Sequence, residues 1–324
     1  MRWASLAIVA LLALPASSTD ARRGPKVVAI AKLPAPPSTP EASAPEATDD
    51  EAAKAAKAAL AAATNDPIFA GADRVVGRDQ PGYVAFTFDD GPTPATTPVV
   101  LDALQTYDIP ATFFIVTRHL NHPRDREQAR QLLAKELELG FTVGNHTAHH
   151  ARLEHTTDEK LLVREVDEAV MTLTAHAKRP IGLFRAPYGK LSTFAKDHLH
   201  EMGVTDVFWS IDSRDWETAE EDAAELRRSI LEMIVADNGG VVLMHDTRKV
   251  TAKVIRDVFD DLEHENCRRL AKHETPIWPV SLHYFLRDAG VPRAIPDDVQ
   301  KRTAAYQQAL PDRCALRARK TGRK

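Results

Sequence analysis

Cysteine is nearly absent: Cys267 and Cys314 are the only two in 324 residues. That excludes a cysteine-built zinc cluster and a dense disulfide scaffold. An excess of one charge is missing too. Lys and Arg total 42 against 46 for Asp and Glu, a net charge of −4. Neither nucleic acid nor an anionic membrane is then the default partner. No Gly-x-Gly-x-x-Gly follows the first internal apolar run, so dinucleotide binding loses its main support. The N-terminal apolar run, Trp3 to Leu14, falls short of the roughly 20 residues that a bilayer span requires. No stable membrane span is expected. What remains is a chain that is 44% hydrophobic and 27% charged, enough to bury a core, with 13 histidines whose placement matters.

The ends read differently from the middle. Arg2, the apolar run and then Pro15-Ala16-Ser17-Ser18 form the pattern of a secretory signal peptide over residues 1–18. The protein is therefore expected to be exported: periplasmic, wall-associated or secreted. Residues 19–80 read as a Pro- and Ala-rich linker, with a short helix expected over Ala52–Ala63. Residues 291–324 read as a basic tail carrying Arg313, Arg317, Arg319, Lys320, Arg323 and Lys324. Such a tail is either simply solvated or makes weak contact with an anionic polymer such as a cell wall. Export makes a Cys267–Cys314 disulfide reasonable, closing a loop worth about 4 kcal/mol in the chain-entropy model.

Residues 81–290 alternate apolar runs with amphipathic stretches. Strands are expected at Tyr83–Phe88, Ala111–Val116, Phe141–Gly144, Ile181–Phe184, Val207–Ile211, Gly240–Met244 and Trp278–Phe285. Helices are expected near Thr97–Tyr107, Arg124–Leu139, Phe194–Met202, Ala219–Ala236 and Ala252–His264. Thr156 with Glu159 reads as a capping box ahead of a face made by Leu162, Val166, Val170 and Leu173. Repeated βα units imply an α/β fold with a parallel sheet, either open and doubly wound or closed into a barrel. About seven strands in one domain of this length fit a (β/α) barrel slightly smaller than the eightfold one.

The residues just past each strand are the informative ones. They are Asp89 and Asp90; His146 and His150; Arg185; Asp212 and Asp215; and His245. In a βα barrel those ends converge on one face, where active sites are built. His146 and His150, at i and i+4, would offer two nitrogens to one ion from one side of a helical turn. His149 points elsewhere on that geometry, to the surface or to a supporting role. Adding an Asp90 oxygen gives two His and a carboxylate, an open catalytic set for which zinc is the natural guess. Asp89 is the natural base, Arg185 its orienting partner, and His245 an acid kept protonated by Asp215. Each residue alone also has a plain reading: solvated paired acids, an exposed histidine cluster, a surface ion pair, a turn.

Thr87-Phe88-Asp89-Asp90-Gly91-Pro92, His146-Thr147-Ala148-His149-His150, Arg185-Ala186-Pro187-Tyr188, Asp212-Ser213-Arg214-Asp215-Trp216 and Leu243-Met244-His245 stand in order along the chain. They resemble the five motifs of the polysaccharide deacetylase family, the NodB-homology domain of carbohydrate esterase family 4. The resemblance covers about Tyr83 to Leu286. It implies a distorted (β/α) barrel and metal-dependent removal of N-acetyl groups from amino sugars. It assigns Asp89 as base, Asp90, His146 and His150 as metal ligands, and His245 with Asp215 as the acid. The Tyr188 backbone N–H would stabilise the oxyanion, and Trp216 and Leu243 would line the acetyl pocket. Trp216 reads as core without the resemblance. Ala186 and Thr117 depart from the family pattern without removing a catalytic group. The expected partner is an N-acetylated glycan, with peptidoglycan first. Chitin oligomers, an exopolysaccharide, acetylated xylan or a non-catalytic glycan-binding barrel are the alternatives.

Overall fold

In the computed structural model, residues 68–321 are described. The signal peptide at 1–18, the linker up to residue 67 and the helix expected over Ala52–Ala63 lie outside them. Seven parallel strands carry the fold: β1 Tyr83–Asp89, β2 Ala111–Ile115, β3 Thr142–Asn145, β4 Leu183–Phe184, β5 Thr205–Asp206, β6 Ile211–Asp212 and β7 Gly240–His245. They pair in the order β5-β4-β3-β2-β1-β7-β6. The central strands are buried on both faces, as a parallel sheet clothed by helices requires.

The run expected as one strand, Val207–Ile211, is divided. Its N-terminal flank, β5, pairs with β4, while β6 pairs with β7 at the other end of the ladder. One stretch of chain therefore serves both edges, and the sheet curls into a distorted barrel. Val75 bridges the interval: its N–H donates to Asp206 O at 3.0 Å, and its carbonyl accepts from Phe208 N–H at 2.7 Å. Val75 is buried and Phe69 packs against the apolar cluster that holds Val207 and Val241, so residues 68–80 belong to the barrel and not to the linker. The last expected strand shrinks to β8, Trp278–Pro279, because Pro279 supplies no ladder donor and Leu282–Phe285 turns into a 3₁₀ segment.

Helices α1 Thr97–Tyr107, α2 Arg126–Glu138, α3 Glu168–Ala177, α4 Thr193–Glu201, α5 Ala223–Ala236 and α6 Lys249–Ala271 fill the crossovers. Leu162, Val166, Val170 and Leu173 share the expected buried face. The cap, however, is Asp158, whose carboxylate accepts from Lys160 N–H at 3.0 Å; Thr156 accepts from Asp158 N–H instead.

The basic tail is corrected outright. Asp297–Thr321 forms a helix, α7, with Thr303, Tyr306 and Leu310 buried at helical spacing. Arg313 pairs with Asp108 and Glu263, and Arg317 pairs with Asp260. Those two cations are engaged by the barrel, and nothing in the described residues supports the expected wall contact. Cys314, one turn beyond Leu310, is bonded to Cys267 of α6 across a separation of 47 residues. Reduction, or Cys314→Ser, is expected to lower unfolding free energy by about 4 kcal/mol in the chain-entropy model, read from urea unfolding curves. An unmoved midpoint would mean that side-chain packing alone holds the helix. Among the described residues no helix is long and apolar enough to cross a membrane.

Candidate active site

The register of the sheet gathers the polar residues at one end. Asp89 closes β1 directly opposite His245, which closes β7. Asn145 at the end of β3 pairs with Phe184, so His146 and Arg185 leave the sheet side by side. Asp215 lies just beyond β6.

Asp90 leaves β1 with φ 75°, a left-handed turn that Asp tolerates better than most residues. Its Oδ1 lies 3.5 Å from His146 Nε2 and 3.2 Å from His150 Nε2. The two histidines converge through a loop, not the helical turn expected, with Thr147 at φ 70° and His150 at φ 62°. His146 Nδ1 donates to the Arg185 carbonyl at 2.8 Å, which turns the lone pair of Nε2 toward Asp90. Burial pushes the His146 imidazole down to about 3 and lowers His150 as well, which favours the neutral form of both rings. Asp90 Oδ1 is buried with no hydrogen-bond partner. A carboxylate oxygen facing two unprotonated nitrogens calls for a cation, and the three ligand atoms lie within 4.8 Å of one another. The donor set fits a divalent metal.

Behind this triad lies a buried ion pair. Arg185, fully buried, donates from Nη1 to Asp89 Oδ1 at 2.8 Å and to Thr87 Oγ1 at 2.7 Å. Its Nε donates to Val207 O and its Nη2 to Phe208 O. The guanidinium also lies over the Phe114 ring at 4.2 Å. Burial raises the Asp89 carboxyl above its ordinary range, and the adjacent guanidinium counters part of that rise. The result is an oriented carboxylate with enhanced basicity.

On the other side, His245 Nδ1 and its backbone N–H each donate to Asp215 at 2.7 Å. Burial would lower the imidazole, but the bond and charge of Asp215, with Asp89 and Asp90 nearby, outweigh it and raise His245 to about 9. A carboxylate of raised basicity and a protonated imidazole thus flank the cluster of Asp90, His146 and His150.

Comparisons with known proteins bear on the family of the chain. The sequence profile described as polysaccharide deacetylase matches residues 77–207. A peptidoglycan-N-acetylglucosamine deacetylase of Bacillus cereus is 33% identical over 193 residues, covering 57% of this chain and 84% of that protein. This chain belongs to the polysaccharide deacetylase family. A chitooligosaccharide deacetylase of Sinorhizobium fredii is 34% identical over 167 residues, covering 50% of this chain and 71% of that protein. The peptidoglycan-N-acetylglucosamine deacetylase of Listeria monocytogenes is longer: 30% identity extends over 56% of this chain but only 36% of that one. Among solved structures, the family 4 carbohydrate esterase from Streptomyces lividans superposes with a TM-score of 0.50 at 24% identity, over 65% of this chain and 98% of that one, a likeness of fold.

Within this deacetylase domain the remaining expected residues are spread around the mouth. Tyr188 (φ 60°) is half exposed, its ring centroid 4.7 Å from that of His150 and covered by the Arg152 guanidinium at 3.9 Å. Trp216 is half exposed beside Asp215 and is not core, while Leu243 is buried on β7 opposite Thr87 and Asp212. Sequence reasoning missed Thr87 under Arg185, Thr251 on Asp215, and Asp246, which accepts from Thr97 Oγ1 and is raised to about 7 by burial. Thr87 and Asp246 sit inside the quoted motifs or next to them, so adjacency was the available signal. Thr251 carried none.

Proposed function

We propose that this protein is an exported, metal-dependent deacetylase that hydrolyses N-acetyl groups on N-acetylglucosamine units of a glycan, with peptidoglycan the first substrate and zinc the metal. The observation that carries the reading is the orphaned Asp90 oxygen facing two neutral histidines, flanked by the Asp89–Arg185 and His245–Asp215 pairs. The substrate assignment is supported by the Bacillus cereus relative, a peptidoglycan-N-acetylglucosamine deacetylase; the chitooligosaccharide deacetylases favour chitin oligomers as a second reading. The N-terminal run of the sequence supports export.

A divalent ion held by Asp90, His146 and His150 would polarise the acetyl carbonyl and acidify a water. Asp89, with Oδ1 tied to Arg185, takes the water proton on Oδ2. His245, with Nδ1 fixed by Asp215, gives the proton on Nε2 to the departing amine. The Tyr188 backbone N–H would face the developing oxyanion, and Trp216 and Leu243 would enclose the acetyl methyl.

Activity requires His245 protonated, so kcat/KM is expected to be full at neutral pH and to fall as pH rises through about 9. Asp215→Asn removes the main opposition to burial, leaving only the charges of Asp89 and Asp90, and should move that alkaline limb to lower pH by roughly 1–3 units. An unshifted limb in the pH–rate profile would assign it to another group. The reading as a whole is tested by incubating the protein with peptidoglycan, chitin oligomers and acetylated xylan, and measuring acetate with and without a chelator. Chelator-sensitive acetate from peptidoglycan supports it. Acetate from chitin oligomers alone would overturn the substrate, and acetate from none would overturn the enzyme.

A further inference from the structure

Between the metal-ligand loop and α3 the helix makes a π-helical turn, Val163–Asp167, flanked by α-helical Glu159–Leu162 and Glu168–Ala177. Such a turn carries one residue more than the α-helix allows and is frequent at functional sites. Here its two buried residues, Glu165 and Val166, both face the loop that begins at Asn145. The Glu165 carbonyl accepts from Ala148 N–H at 2.9 Å. Its carboxylate accepts from His149 N–H at 2.8 Å through Oε2, and Oε1 lies 3.0 Å from His149 Nδ1. The Val166 carbonyl accepts from Asn145 Nδ2 at 3.1 Å, and Asn145 Oδ1 accepts from Thr147 N–H at 2.8 Å.

The loop needs this clasp. Thr147, β-branched, sits in the left-handed region that such residues avoid, and His150 adopts it as well. Within the loop, a bond from His150 N–H to Thr147 Oγ1 at 2.9 Å opposes that strain. Glu165 grips the residues between them, Ala148 and His149. Its carboxylate is itself buried, with Arg164 Nε 3.6 Å away. His149 is thereby explained: its side chain is 58% exposed and it is no ligand, but its backbone and ring are the handle by which the loop is held.

We propose that Glu165 is a positioning residue for metal affinity: it holds the 146–150 loop in its strained form, so that His146 and His150 are preset around the Asp90 oxygen. This rests on the metal-site reading above. Without the carboxylate, the loop relaxes toward ordinary backbone angles, and metal binding must restore the strained form each time. Supporting hydrogen bonds around metal ligands are typically worth about 10–100-fold in metal affinity.

The test is zinc affinity of the full chain, measured by competition with a chromophoric chelator, for wild type, Glu165→Ala, Glu165→Gln and Asp90→Ala. Glu165→Ala should bind zinc roughly 10–100-fold more weakly. Glu165→Gln, which keeps an acceptor for His149 N–H, should fall between that variant and wild type. Excess zinc should restore kcat in both Glu165 variants with KM for substrate unchanged, a pattern that a merely structural loss would not give. Unchanged zinc affinity in the Glu165 variants, or a kcat that zinc fails to restore, overturns the proposal. If Glu165→Ala does not fold, the Gln variant decides by the same criteria. Wild type binding zinc no better than Asp90→Ala would instead overturn the metal site itself.

Discussion

Asp89→Asn is expected to leave the protein folded and its metal content unchanged while lowering kcat by about 10²–10⁴-fold, the range set by general acid–base catalysis. The asparagine oxygen can still accept from Arg185 Nη1, as Oδ1 of Asp89 does at 2.8 Å, so the local geometry has reason to persist. What it cannot do is take a proton. Asp90, His146 and His150 remain as ligands, so elemental analysis should report full metal. Asp90→Asn is the contrast: it weakens the ligand set and should lose metal and activity together. The two neighbours are thus separable by one pair of measurements, metal content and acetate release. Near-normal turnover in Asp89→Asn would remove Asp89 from the role of base.

Arg185→Met should have the largest effect on stability. Removing one partner of a buried ion pair typically costs about 3–5 kcal/mol, because the other charge stays buried and unpaired. Here the loss also strips donors from Val207 O, Phe208 O and Thr87 Oγ1. These bonds tie β4 to β1 and to the divided strand that closes the barrel. Urea unfolding should report the loss as a lower midpoint. A second consequence concerns pH. Burial already raises Asp89 and Arg185 holds it down, so losing the guanidinium raises it further. The acid limb of the pH–rate profile should then move to higher pH, since the base is active only when deprotonated. Because the residues touch, the double variant with Asp89→Asn should lose less than the two single losses added together. A loss below about 1 kcal/mol in Arg185→Met, the size of an ordinary point mutation, would show that the pair does not hold the closure.

Most of the site was legible before any fold was known, because βα architectures place chemistry at strand ends and strand ends are local features. Asp89-Asp90, Arg185 and His245 each follow an apolar run that reads as a strand. The grouping of Asp90, His146 and His150 followed from residue type and order, although its geometry did not. Positions i and i+4 suggested a helical turn, whereas His146 and His150 meet through left-handed backbone at Thr147 and at His150 itself. That backbone is held by Glu165, which lies in a separate helical segment whose π turn leaves no mark in hydrophobic periodicity.

By itself, the sequence determined the α/β class, the run of strands and helices, and the identity of the acids, histidines and arginine at the barrel mouth. These depend on short-range patterning, which a linear reading can follow. Tertiary structure alone decided how the barrel closes, with residues 205–212 shared between two edges and Val75 filling the interval. It also decided that the basic end of the chain is a docked helix, with Arg313 and Arg317 matched to Asp108, Asp260 and Glu263. Both outcomes rest on contacts between residues far apart in the chain, where charge and apolar faces find partners that no local pattern names.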